Sequence, residues 1–119
     1  MRSHSEAYKD KLVLVTGSPG SRTIINTVLD ITLDVTAWGM TGHDAIAAPR
    51  MHHQWLPDRL TIESGGASDD VLAKLRAMGH EVGVQGQGSA QSIWIDPKTG
   101  AAVGVADKRD ATAKASAVK

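Results

Sequence analysis

Leu12-Val13-Leu14-Val15 is an unbroken apolar run of β type. The small residues of Thr16-Gly17-Ser18-Pro19-Gly20-Ser21-Arg22 follow it, and then a long apolar stretch from Thr23 to Trp38. That order reads as strand, tight turn, helix. Within the long stretch Ile24, Ile25, Val28, Leu29, Ile31, Val35 and Trp38 recur at three- and four-residue spacing, while Thr23, Thr27, Asp30 and Asp34 fall on the opposite stripe. Strict alternation fails, so the pattern predicts a helix. Its many β-branched residues lower intrinsic helix propensity, so packing must hold it and it is expected to be nearly buried. Gly39 is a natural residue to end it, giving a helix of about 17 residues and about 25 Å.

The remaining pattern supplies shorter elements. Thr41 to Ala48 predicts a two-turn helix with Thr41 as N-cap, Asp44 in the capping-box position and Pro49 as its stop. Pro49 to Asp58 is bracketed by prolines and rich in hydrogen-bonding side chains. It is expected to be a buried polar loop with its imidazoles bonded to backbone and Trp55 in the core. Arg59 to Glu63 alternates as a half-exposed strand. Ser68 caps a helix with Val71, Leu72, Leu75 and Met78 on one face and Gly79 after its end. Glu81 to Gln85 is a short strand and Gly86-Gln87-Gly88 a flexible break. Two further strands, Ala90 to Asp96 and Ala102 to Ala106, are joined by the hairpin-type turn Pro97-Lys98-Thr99-Gly100. The order β-α-α-β-α-β-β-β predicts an α/β (α+β) domain in which a mixed sheet is packed by the long buried helix. Its expected limits are 11–107, between a loosely held leader at 1–10 and a polar, disordered tail at 108–119.

Composition narrows the picture. A chain of 119 residues, 41% hydrophobic, is enough for one domain, and with no Phe, three Trp and one Tyr its core has to be aliphatic. Thirteen basic and thirteen acidic residues cancel, which removes the electrostatic case for a nucleic acid or an anionic membrane as partner. The absence of Cys excludes disulfides, thiolate catalysis and Cys-based zinc sites. No apolar span reaches 18 residues, and the polar first residues lack a signal core.

Chemistry concentrates at the first turn. Ser18 or Gly20 can cap the helix, and the free amides of its first turn, with the positive end of the helix dipole, make a place for an anion or a developing oxyanion. The plainer reading, a well-capped strand-to-helix turn, stays open. A phosphate loop is excluded, since G-x-x-x-x-G-K-[ST] is absent. His43, His52 and His53 have no carboxylate at a recognisable ligand spacing, so neither a metal site nor a cofactor is expected. Thr16, Ser18, Ser21 and Thr23 with His52, His53 and Asp58 contain the ingredients of a triad, but nothing in their spacing assembles one.

The residues Gly17-Ser18-Pro19-Gly20-Ser21-Arg22-Thr23-Ile24-Ile25-Asn26-Thr27-Val28-Leu29 and Ala47-Ala48-Pro49-Arg50-Met51-His52-His53-Gln54-Trp55-Leu56-Pro57-Asp58 closely resemble the γ-glutamyltransferase (γ-glutamyl transpeptidase) family. Ala77-Met78-Gly79-His80-Glu81-Val82 and Gly88-Ser89-Ala90-Gln91-Ser92-Ile93 match as well, and Gly104-Val105-Ala106-Asp107-Lys108-Arg109 echoes a G-x-S-D-x-R ending. The resemblance runs from about Leu12 to Arg109 and covers the C-terminal half of the family's small subunit. It implies part of the αββα sandwich of an N-terminal-nucleophile hydrolase. It also implies an acyl transfer in which an N-terminal Thr attacks the γ-glutamyl amide of glutathione or related donors. That Thr has no counterpart in these residues, so the resemblance implies no catalytic nucleophile here and no activity alone. The family's Ser-Pro-Gly-Gly turn supplies two backbone N–H groups as an oxyanion hole, and the matching positions are Gly20 and Ser21, with Ser21 where the family has Gly. Expected partners are γ-glutamyl small molecules once missing segments complete the site, and a complementing subunit or a second copy. The alternative is a stand-alone, non-enzymatic module that oligomerises or binds a small acidic ligand at the Gly20 turn. Compartment is left open, since family members are often periplasmic, secreted or on the cell surface.

Overall fold

The first predicted strand finds its partner near the other end of the chain. In the computed structural model, which describes residues 10–117, β1 (Leu14–Gly17) runs antiparallel to β5 (Gln91–Ile95), with Thr16 opposite Ser92 and their hydroxyls 2.6 Å apart. β5 pairs antiparallel with β6 (Ala102–Val105) through the predicted hairpin, closed by Gly100 N donating to Asp96 O. A second sheet joins β2 (Met51–His52), β3 (Leu60–Ile62) and β4 (Val82–Val84), the first pair antiparallel and the second parallel. The expected α+β class is thus realised with two three-stranded sheets, β1-β5-β6 and β2-β3-β4, in place of a single mixed sheet; five of the six strands are those read from the pattern, and β2 falls in the stretch read as a loop. A parallel pair needs a crossover, and the capped helix between β3 and β4 provides it.

Three helices lie against these sheets. α1 (Ile24–Thr36) is entered through a 3₁₀ turn, Ser21–Thr23; α2 spans Gly42–Ala47 and α3 spans Asp69–Ala77. Thr41 caps α2 by accepting from Asp44 N at 3.2 Å, and Ser68 caps α3 by accepting from Val71 N at 3.4 Å, both as the sequence predicts. Gly42 is required by packing, because a Cβ there falls 2.4 Å from Trp94 Cβ. The core is aliphatic: Ile31, Val35, Ala45, Ile46, Ala90 and Val105, with Leu14, Met40, Trp94 and Val103 against it. Each fully buried Ile or Val contributes about 2 kcal/mol of transfer free energy.

α1 is shorter and more open than its pattern suggests. It has 13 residues, and its innermost row is Thr27, Ile31 and Val35. Thr27, assigned to the polar stripe, is fully buried and accepts a hydrogen bond from Gln87 Nε2 at 3.1 Å. Ile25, Leu29 and Leu33 form a second apolar row at four-residue spacing, 76, 50 and 43% exposed. The apolar residues span more than half of the helix's circumference, so hydropathy left open which part of them faces inward; Thr27, at the edge of the polar stripe, has its partner in Gln87 and lies inside.

Two other expectations are corrected. Trp55 is 78% exposed rather than in the core, because residues 53–58 turn outward from the end of β2 and bond among themselves, with Leu56 N donating to Gln54 O and Arg59 N to Pro57 O. The polar tail does not begin at 108: Asp107 and Arg109 are tied into the interior, and Ala115 lies against Gly104 of β6. The leader expected at 1–10 falls, apart from Asp10, outside the described residues.

Candidate functional site

The stretch from Ser18 to Arg22 links the end of β1 to the start of α1. Gly20 has φ 132° and Ser21 φ 51°, both in a region L-residues avoid, and both residues are exposed. Thr23 closes the turn, its N–H and its hydroxyl both donating to Gly20 O, at 3.1 and 3.0 Å. Among the described residues nothing accepts from the N–H of Gly20 or of Ser21. Two adjacent unpartnered donors thus stand at the N-cap and first residue of the 3₁₀ turn, ahead of a helix of 13 residues whose dipole adds positive potential at the same end. Gly20 stands at the N-cap position of the 3₁₀ turn, as expected, and Thr23 at that of α1, with no side-chain cap bond at either. Ser18 Oγ instead donates to Pro19 O and accepts from Ser89 N at 3.0 Å. Arg22 forms no ion pair among the described residues.

The histidines stay apart from this turn in role. His43 is exposed on α2. His52 is buried, with Nε2 2.9 Å from Gln54 Oε1. His53 accepts from Trp55 N through Nδ1 and sits 3.1 Å from Asp58 through Nε2. Neither of the Ser18 hydroxyl's two partners is an imidazole, and no three His, Asp or Glu side chains among the described residues form a cluster able to hold a metal.

Sequence reasoning missed the polar cluster behind the turn. Arg50 is 2% and Asp107 1% exposed, and Arg50 Nη2 meets Asp107 Oδ2 at 2.8 Å. Arg109 pairs with Asp107 Oδ1 at 3.1 Å and with both oxygens of Glu63. Two guanidinium groups and two carboxylates thus neutralise each other, Arg50 and Asp107 out of water and Arg109 at the cluster's partly exposed edge. Burial pushes the Glu63 carboxyl up, but Arg109 and the amides of Arg50 and Gln87 outweigh it, and the group is held below its ordinary value. Asp107 is likewise lowered against its burial, by the amides of Arg109 and Ala90 and by Arg50. Glu63 raises the Arg109 pKa further. On α1 burial raises Asp30, which accepts from Met51 N at 3.3 Å, and Asp34, where the Asp30 charge adds to the effect. The signals for the cluster were an Arg between Pro49 and an apolar Met51, an acid ending a strand, and the Asp107-Lys108-Arg109 echo read as the start of a tail.

A family model, Gamma-glutamyltranspeptidase, matches residues 6–117. The chain is 45% identical over 100 residues to the glutathione hydrolase proenzyme of Escherichia coli K12, covering 83% of this chain and 17% of that protein. It is 40% identical over 100 residues to the Bacillus subtilis 168 protein of the same name, covering 82% and 17%. A solved structure of a Helicobacter pylori gamma-glutamyltranspeptidase variant superposes with a TM-score of 0.77 at 40% identity, over 86% of this chain and 56% of that one. The chain therefore spans about one sixth of the length of these curated relatives.

Proposed function

The chain belongs to the gamma-glutamyltranspeptidase family of N-terminal-nucleophile hydrolases, and from that premise we propose that it supplies the oxyanion turn and supporting scaffold of an acyl-transfer site whose nucleophile lies on another segment. The substrate class is γ-glutamyl amides such as glutathione. When a Thr hydroxyl attacks the amide carbon, the C–O bond forms as the carbonyl π pair moves onto oxygen. The resulting oxyanion needs donors at about 2.7–3.1 Å. Gly20 and Ser21 N–H meet that need from the backbone; collapse of the intermediate then breaks the C–N bond, the amine leaves with the nucleophile's proton, and water or an amine takes the acyl group. The observation that carries this reading is the pair of exposed, unpartnered N–H groups at Gly20 and Ser21, at the positions that match the family's turn.

Two apolar surfaces fit a chain that is completed by further segments. The outer face of the β1-β5-β6 sheet presents Val15 and Ile93, and α1 presents Ile25, Leu29 and Leu33. Contiguous apolar surface of this kind marks association. The same surfaces favour the second reading, a module that self-associates without catalysis.

γ-Glutamyl-p-nitroanilide hydrolysis separates the two. The chain alone gives no turnover, and co-expression with the segments of a family relative that it does not cover restores it. Sustained turnover by the chain alone overturns the claim that it lacks a nucleophile, and failure of every complementing segment, with the chain folded, favours the module.

A further inference from the structure

The Gly86–Ala90 segment stands between two parts of the molecule that lie far apart in sequence. On one side the ionic cluster grips its backbone: Glu63 Oε1 accepts from Gln87 N at 2.7 Å, Arg50 Nη1 donates to Gln87 O at 2.9 Å, and Asp107 Oδ2 accepts from Ala90 N at 2.7 Å. Arg109 in turn holds both carboxylates. On the other side the segment leans on the turn that carries Gly20 and Ser21. Ser89 N donates to Ser18 Oγ at 3.0 Å, and Gln87 Nε2 reaches Thr27 in the first turn of α1. Gly88, at φ 64°, is pressed so close that a Cβ on it falls 2.6 Å from Ser18 Oγ and 3.0 Å from Thr27 Oγ1; a Cβ on Gly20 falls 3.9 Å from Gly88 Cα. Inside the turn itself the support among the described residues is the pair of Thr23 bonds to Gly20 O and the Ser18 Oγ bond to Pro19 O. A segment with three main-chain groups bonded to charged, buried partners has little freedom, and whatever rests on it inherits its position.

We infer that Arg50, Glu63, Asp107 and Arg109 are positioning residues for the Gly20 and Ser21 amides, acting through the Gly86–Ala90 segment and its contacts with Ser18 and Thr27. The inference rests on reading those amides as oxyanion donors, a role in which fixed position is the main requirement. A displacement of about 1 Å at such a site can cost on the order of 100-fold in rate.

Backbone ¹⁵N relaxation on the full chain tests it. The expected result for the parent chain is an order parameter near 0.85 at Gly20 and Ser21, the value of rigid backbone, although neither amide has an acceptor among the described residues. Ser18→Ala removes the link from the segment to the turn, and Glu63→Gln removes the charge that holds Gln87 N. Each lowers the order parameters of Gly20 and Ser21 below about 0.6 while Trp94 and Val103 in the β5-β6 hairpin keep theirs. A merely structural loss would lower the thermal midpoint without this selective change. Unchanged Gly20 and Ser21 in a folded Glu63→Gln protein, or mobile amides in the parent, overturn the inference. Should Glu63→Gln not fold, Ser18→Ala leaves the cluster intact and decides alone, unchanged order there overturning it. None of these readouts is turnover, so failed complementation strikes the acyl-transfer reading and unchanged order strikes this one.

Discussion

Gly20 and Ser21 sit side by side at positive φ, and the two residues bear that geometry unequally. Glycine adopts it freely, while an L-residue in the left-handed region gives up about 1–2 kcal/mol. Ser21→Gly should therefore raise stability by roughly 1 kcal/mol in urea unfolding. Gly20→Ala should lose at least about 1–2 kcal/mol, since its Cβ also falls 2.4 Å from Thr23 Oγ1. Equal, near-zero effects of both would contradict the turn geometry. Ionisable residues set a second expectation. Glu63 and Asp107 are held below their ordinary pKa, so the stability they contribute is complete above the unfolded values near 4 and is lost as pH falls through the lower folded values. Asp30 and Asp34 are raised, so their charges oppose folding at neutral pH and protonation relieves them. Denaturation midpoints should hold or rise slightly from about pH 7 to 5 and drop below about pH 4. Asp30→Asn should raise the pH 7 midpoint, with a gain that shrinks on acidification; a constant gain would point away from titration.

At the scale of elements α1 is the informative one, because its two apolar rows do different things. Ile31 and Val35 are fully buried, so Ile31→Ala should cost about 2–5 kcal/mol. Leu29 is half exposed on the outer row, so Leu29→Glu should change monomer stability by no more than about 0.5 kcal/mol and should reduce association seen by sedimentation velocity. If Leu29→Glu unfolds the chain, the outer row is core and the description of α1 fails. α3 is a contrast. Its caps form as its sequence predicts, yet none of its residues is fully buried, and Met78, expected on its apolar face, is 74% exposed. Caps are local and face burial is not.

The molecule as a whole is a slab, 51 × 41 × 24 Å, with a radius of gyration of 15.8 Å. A compact domain of this length has about 13 Å. A thickness of 24 Å accommodates one helix layer on one sheet layer. The cluster of Arg50, Glu63, Asp107 and Arg109 joins the two sheets, since Glu63 follows β3 and Asp107 follows β6. Removing one partner of a buried ionic group leaves an uncompensated charge, so Asp107→Ala should cost about 3–5 kcal/mol. Because that bond also couples the sheets, the unfolding transition should broaden; a sharp transition with an unchanged midpoint would show that the sheets are held otherwise.

Sequence by itself determined what depends on neighbours along the chain. The caps at Thr41 and Ser68, the Pro97–Gly100 hairpin, the order of the helices and of every strand but β2, the family resemblance and the small-residue turn ahead of α1 were all legible, because a cap or a turn is settled within about four residues. The tertiary structure decided the rest: that β1 pairs with β5, that the strands divide into two sheets, that Thr27 faces inward while Ile25 and Trp55 face out, and that Arg109, expected in the tail, is anchored to Glu63 and Asp107. The physical reason is that a polar residue goes inside only when a partner waits there. For Thr27 that partner is 60 residues away in Gln87, and for Arg50 it is 57 residues away in Asp107, beyond the reach of any local pattern.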